Sequence, residues 1–295
     1  MPDPDPSPNP ENTPLVGDTE DSPIYQVKRK PPPNGNFFEV ENVHKSLGAQ
    51  HVLRGVNLTV PRSQNTVIIG ASGGGKSVFL KHLIGLLQPD EGSITVDGTE
   101  ISHLKERQLG PVRKKIGILF QDGALFDSMN VAQNVAFPLR EAGIRDRDEL
   151  DERVRSALRV VELEEHLHKM PIQLSGGMRK RVGLARAIIG NPECILYDEP
   201  TAGLDPVVAD SINHLIRRLE LEYEVTSVVV THDMTSVYHI ADHVAFLREG
   251  AIYFHGSPEE LRDSTDPVIQ DFIQGRSHAG EDRQGKTRPV QSTNQ

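Results

Sequence analysis

Long apolar runs are missing from this chain. No stretch approaches the ~20 apolar residues that a membrane-spanning helix needs, and the longest, such as TVIIG and TSVVVT, have the length of strands. The first ten residues, MPDPDPSPNP, contain neither a basic nor an apolar region. A secretory signal is therefore not expected there. Cysteine is almost absent. Cys194 is the single one in 295 residues, which excludes an intrachain disulfide, and its setting in CILY predicts a buried, inert thiol. An excess of basic charge is also missing. The formal net charge is −10, which argues against a general nucleic-acid binder. What remains is a protein that is soluble or held to a membrane through a partner.

Residues 1–36 are rich in Pro, Asp, Ser and Asn. Such a segment buries too little apolar surface to offset its ordering entropy and is expected to be a disordered tail. The run Lys28-Arg29-Lys30 is too short for stable attachment to acidic lipid. Residues 276–295 are expected to form a second polar tail. Between the tails, strand-like and helix-like patterns alternate. FFEVENV, VLRGVNLTV, TVIIG, SITVDG, KIGILF, CILYD, TSVVVT and HVAFL read as strands, whereas VFLKHLIGLL and DSINHLIRRLELEY carry helical spacing. This alternation predicts an α/β fold with a mainly parallel sheet covered on both faces. From Asn134 to Gln173 no strong strand interrupts the chain, and DRDELDERVRSALRVVEL has helical periodicity, so a helical insertion is expected.

The stretch GASGGGKS, residues 70–77, lies between an apparent buried strand and a helix. It fits the phosphate-binding loop pattern. The backbone N–H groups of Gly70, Ala71, Ser72, Gly73, Gly74 and Gly75 would turn inward around phosphate oxygens. The positive end of the following helix would face the same place. Lys76 would neutralise the β- and γ-phosphates, and Ser77 would ligate Mg²⁺. In CILYDE, Asp198 stands at the end of a strand, placed to hold Mg²⁺, and Glu199 can orient or deprotonate an attacking water. His232 follows TSVVVT and Gln121 follows KIGILF. On the residues alone each is either an ordinary turn residue or a site residue, His232 reaching the γ-phosphate if the two strands are neighbours and Gln121 offering a neutral oxygen to metal or water. LSGGMRKRVGLARAI is a second glycine turn entering a helix, and Ser175, Gly176 and Gly177 suit a second phosphate. Arg179, Lys180, Arg181 and Arg186 are expected to be helix-surface charges, with some available to fix the loop.

Taken together, GASGGGKS, Gln121, LSGGM, CILYDE, AGLD at 202–205 and the THD ending at Asp233 resemble, in their order, the motifs of the ABC-transporter ATPases over residues 37–275. The resemblance implies a P-loop ABC nucleotide-binding domain with a mainly parallel sheet, an antiparallel β subdomain and a helical subdomain at about 124–190. It implies ATP and Mg²⁺ as ligands, bound by the residues named above. It also implies a head-to-tail homodimer in which each ATP lies between the P-loop of one chain and the LSGG turn of the other. Glu199 would be the catalytic base, His232 a contact to the γ-phosphate, Gln121 a Mg²⁺ sensor, and Asp205 a contact across the dimer. An integral membrane permease would dock on the helical insertion, which places the protein at the cytoplasmic side of the inner or plasma membrane. FQDGALFDSMNVAQNVAFPLRE, Met178 in LSGGM, and GSPEELRDSTDPVIQDFIQG are similar to the Mla/Mce-type lipid-transport ATPases, whose partners include an Mce-domain lipid-binding protein and a small regulatory subunit. The motifs also permit an importer ATPase for amino acids or other small solutes. A soluble ABC-type ATPase of DNA repair or translation is disfavoured by the single cassette, the lack of a long coiled-coil insertion and the acidic charge, and intact Lys76, Asp198, Glu199 and His232 argue against a non-hydrolysing regulatory subunit. One position departs from the family pattern. Leu47 stands where an aromatic residue usually stacks on adenine, and an aliphatic contact loses that stacking.

Overall fold

The structure is a computed structural model, and it describes residues 35–276. The expected tails at 1–34 and 277–295, with Lys28-Arg29-Lys30, lie outside the described residues. Gly35, Asn36 and Arg276, expected in the tails, belong to the described fold. Arg62 N–H donates to Gly35 O at 3.2 Å, and Arg276 N–H donates to Asp271 O at 2.8 Å.

The chain opens with β1 (Asn36–Leu47), β2 (Gln50–Pro61) and β3 (Asn65–Ile69), followed by α1 (Lys76–Leu83). Next come β4 (Glu91–Val96), β5 (Thr99–Glu100), α2 (Glu106–Arg113) and β6 (Ile116–Leu119). After β6 come α3 (Val131–Glu141) and α4 (Arg147–Val160), over the stretch read as a helical insertion, and then α5 (Gly176–Ile188). Then follow β7 (Cys194–Asp198), α6 (Pro206–Tyr223), β8 (Thr226–Thr231), α7 (Met234–Ile240), β9 (His243–Arg248), β10 (Ala251–Gly256), α8 (Pro258–Asp263) and α9 (Pro267–Ile273).

Two sheets result. One is antiparallel in the order β2-β1-β4-β5, and the other runs β10-β9-β3-β8-β7-β6. Within the second, β9, β3, β8, β7 and β6 are mutually parallel and β10 closes the edge antiparallel to β9. Alternation along these strands divides the interior in two. Val67, Ile69, Ile195, Tyr197 and Val229 face a core shared with α3–α6. Ile68, Cys194, Leu196, Val228 and Val230 face a core shared with α1 and the antiparallel sheet. Covering on both faces is why β3 and β8 are buried along their whole length and why they read as unbroken apolar runs. Parallel order sends the carboxyl ends of β3, β6, β7 and β8 to the same rim of the sheet, where ligands of such folds bind.

Candidate nucleotide site

That rim gathers the residues. The loop 70–75 leaves β3 and enters α1 through Gly75, whose φ of +96° favours glycine. A Cβ at Gly70 would stand 2.4 Å from the Leu247 carbonyl oxygen on β9, so only glycine lets the loop lie against that strand. Lys76 is 7% exposed. Its Nζ donates to Gly70 O at 2.8 Å and Ala71 O at 3.2 Å, and stands 3.5 Å from Glu199 Oε1. Ser77 Oγ donates to Asp198 Oδ1 at 2.9 Å. Burial raises the Asp198 pKa above the ordinary carboxylate value, with the Ser77 hydrogen bond acting against it and the Glu199 charge adding to it.

Glu199 is the residue immediately after β7, and it takes φ +49°, an uncommon conformation for a residue with a side chain. Its N–H donates to Val230 O on β8 at 2.9 Å. The β7–β8 pairing meets the condition that His232 needed: its Nδ1 lies 3.0 Å from the Glu199 carboxylate. Asp233 caps α7 by accepting from the N–H groups of Thr235 and Ser236, which fixes the turn that carries His232. Leu47, Ser72, Gly75, Lys76, Ser77 and Gln121 line a cavity of about 320 Å³ together with Glu199 and His232. The glycine loop, the Ser77 hydroxyl, the Glu199 carboxylate and the His232 imidazole thus open on one space, with Asp198 behind the Ser77 hydroxyl.

Ser175, Gly176 and Gly177 lie apart from that cavity. Ser175 caps α5, its Oγ accepting from Met178 N–H at 3.3 Å. Asp205 caps α6 in the same way, accepting from Val208 N–H at 3.0 Å. A Cβ at Gly177 would stand 2.4 Å from Val208 Cγ1, so the two capped turns pack together.

Among the basic residues of α5, Lys180 corrects the expectation of a surface charge, whereas Arg179 is exposed and Arg181 and Arg186 are half-buried. Lys180 is buried and donates to Glu199 O at 2.9 Å. Arg186 donates to Gly123 O and Ala124 O at 2.7 Å each, Arg179 to Leu174 O at 2.8 Å, and Arg181 to Val161 O at 2.9 Å. Each donates to a main-chain carbonyl outside α5's own hydrogen-bond ladder, and the Glu199 carbonyl accepts from Ala202 N–H at 3.2 Å as well. Asn134, not singled out in the sequence, also pins the loop after Gln121. Its Oδ1 accepts from Phe126 N–H at 2.8 Å, and its Nδ2 lies within bonding distance of Phe126 O, Met129 O and Asn130 O. The Asn130–Gln133 capping box of α3 was the available signal. Cys194 is fully buried, and burial pushes its thiol pKa well up, as its apolar setting predicted.

Loop, strand ends and acid–imidazole pair define the class: a P-loop nucleoside triphosphatase. The sequence profile of the ABC transporter family matches residues 53–202. The chain belongs to the ABC transporter family, as an ATP-hydrolysing subunit. It is 40% identical over 240 residues to the intermembrane phospholipid transport system ATP-binding protein MlaF of Escherichia coli strain K12, covering 81% of this chain and 89% of that one. It is 42% identical over 244 residues to the probable ribonucleotide transport ATP-binding protein mkl of Mycobacterium tuberculosis strain H37Rv, covering 83% and 68%. Among solved structures it resembles a dimeric ATP-binding cassette in a post-hydrolysis state bound to ADP and Pi, with a TM-score of 0.70 and 32% identity over 75% of this chain and 98% of that one. It also resembles cbiO1 of Clostridium perfringens, part of the ABC transporter complex cbiONQ, with a TM-score of 0.72 and 30% identity over 81% and 95%.

Proposed function

We propose that the chain is the ATPase subunit of a phospholipid transporter, working as a homodimer on a separate membrane permease at the cytoplasmic face of the inner or plasma membrane. The observation that carries the cargo assignment is the 40% identity spanning 89% of the Escherichia coli intermembrane phospholipid transport ATP-binding protein. No helix among the described residues is long and apolar enough to cross a membrane, so such work calls for a membrane-embedded partner.

ATP would lie with its phosphates in the 70–77 loop and its base toward Leu47. Water attacks the γ-phosphorus in line, the bond to the bridging β-oxygen breaks, and Glu199 takes the water's proton. His232 steadies the Glu199 carboxylate and faces the γ-phosphate, and Lys76 turns from the loop carbonyls to the phosphate oxygens. Ser77 Oγ and Asp198, already paired, form with Gln121 a hard-oxygen set that fits Mg²⁺, which would neutralise charge on the phosphates. The Ser175–Gly177 turn of a second copy would add donors to the γ-phosphate. Homodimerisation is supported by two exposed apolar side chains near the turns that a second copy would cover, Ile172 at 90% and Val207 at 80%.

The test is to isolate the tagged chain from membranes in mild detergent and identify its proteins and lipids by mass spectrometry. A permease, an Mce-domain lipid-binding protein and enriched phospholipid are expected, with a small regulatory subunit as a further component. A solute-binding protein and no lipid enrichment would keep the ATPase and overturn the lipid cargo. The name of the mycobacterial relatives favours a second cargo, a ribonucleotide; its co-purification in place of lipid would support that.

A further inference from the structure

A buried ammonium on α5 needs an explanation. Lys180 is 4% exposed, and an aliphatic side chain of similar length would fill its slot without the cost of desolvating a charge. Burial lowers the pKa of Lys180, an effect opposed first by the Asp122 carboxylate and then by Glu199. Its one hydrogen bond runs from Nζ to the main-chain oxygen of Glu199, at 2.9 Å.

Glu199 is the residue that gains from such a bond. Left-handed backbone costs a side-chain-bearing residue about 1–2 kcal/mol, and Glu199 adopts it with φ +49°. Val230 O holds the Glu199 N–H at 2.9 Å, and the Glu199 oxygen accepts from Lys180 Nζ at 2.9 Å and from the nearby Ala202 N–H at 3.2 Å, so Lys180 is its tie to α5. The residue is thereby fixed by its main chain on both sides, and its carboxylate comes to rest between Lys76 and His232. The other end of α5 grips the loop after Gln121 through Arg186. There the backbones approach so closely that a Cβ at Gly183 would stand 3.0 Å from Gly123 O. The helix that begins at the Ser175–Gly177 turn therefore touches two catalytic-rim segments of its own chain.

We propose that Lys180 is a positioning residue, which sets the Glu199 carboxylate through the Glu199 carbonyl and ties that setting to the seat of the Ser175–Gly177 turn at the head of α5. This rests on the assignment of Glu199 as base. On that assignment the turn serves the ATP of a second copy while Glu199 serves its own, so Lys180 links the two sites of a dimer.

The experiment compares Lys180→Met, Lys180→Gln and Glu199→Gln in the full chain, in the assembly it forms, by steady-state hydrolysis and nucleotide-binding titration. Lys180→Met is expected to lower kcat about 10- to 100-fold while KM for ATP stays within roughly threefold. Lys180→Gln, which keeps an N–H donor, is expected to recover part of the loss. Its comparison with wild type serves alone if the Met variant does not fold, and an unchanged or wholly abolished kcat then overturns the proposal. Turnover of Lys180→Met near wild type beside an inactive Glu199→Gln overturns the role of Lys180 and leaves the base in place. So does a loss carried by KM, which signals a disturbed turn, or a Gln variant no better than Met. Near-normal turnover of Glu199→Gln overturns the base and the positioning proposal together.

Discussion

His232 Nδ1 stands 3.0 Å from the Glu199 carboxylate, although the two residues are 33 positions apart. The parallel pairing of β7 with β8 makes the contact, since Asp198 lies opposite Val230 and each chain continues past the sheet by a short turn. The carboxylate thus faces an imidazole and, at 3.5 Å, the Lys76 ammonium. Glu199→Gln keeps the size and the contacts of the side chain but cannot accept the water's proton. Turnover should fall by about a hundredfold or more while ATP still binds. Single-turnover hydrolysis beside an equilibrium binding titration checks this, and near-normal hydrolysis would remove Glu199 from the role of base.

Replacing His232 removes one of the two groups that hold that carboxylate. In His232→Ala, Lys76 is left as the charged neighbour of Glu199, and the acid is free to follow it away from the water's place. The expected result is a fall in kcat of about tenfold or more, with a smaller change in KM. A loss confined to KM would assign His232 to ground-state binding and not to the arrangement of the acid.

Asp198 sets function against stability. Burial raises its pKa in the folded chain, so as pH rises the unfolded chain gives up this proton first. Stability present below the unfolded carboxylate value is lost as pH climbs through the window up to the raised folded value, and at neutral pH the folded protein bears the cost. Asn keeps an oxygen for the Ser77 hydroxyl and removes the charge. Asp198→Asn should therefore melt at a higher temperature than wild type at neutral pH without nucleotide, and should lose Mg²⁺-dependent hydrolysis. A melting temperature unchanged or lowered at neutral pH, measured by calorimetry, would contradict this account, and the difference between the two proteins should shrink as the pH is brought down below the unfolded carboxylate value.

The legible parts of this molecule were those whose chemistry is local in sequence. GASGGGKS carries its glycines, lysine and hydroxyl in consecutive positions, and β3 and β8 announce themselves as apolar runs because both faces are covered. The parts that escaped depend on partners far along the chain. Lys180 looks like any basic residue of an amphipathic helix until its bond to Glu199, 19 residues on, is seen, and Arg186 meets a carbonyl 62 residues away. Local signals were also masked. Pro138 lies inside α3, where proline normally argues against a helix. Among the described residues β10 pairs with β9 alone, at the sheet edge, and its residues are half-buried or exposed, so it lacks the apolar run that marks the central strands.

Leu47 gives the sharpest test of where the base of ATP lies. It ends β1 with 45% exposure and shares the cavity of Lys76 and Ser77, so a large side chain there meets open space and not a packed neighbour. An aliphatic side chain covers a purine by contact alone, whereas an aromatic ring adds a stacking contribution of about 0.5–1.5 kcal/mol. Leu47→Tyr should tighten ATP binding by roughly two- to tenfold, the ratio that this energy represents. It should leave kcat near wild type, because the ring lies far along the nucleotide from the reacting phosphate. The gain should vanish for inorganic triphosphate, which presents the same phosphates and no base. An equal gain with triphosphate would mean that the ring acts on the 70–77 loop and that the base lies elsewhere.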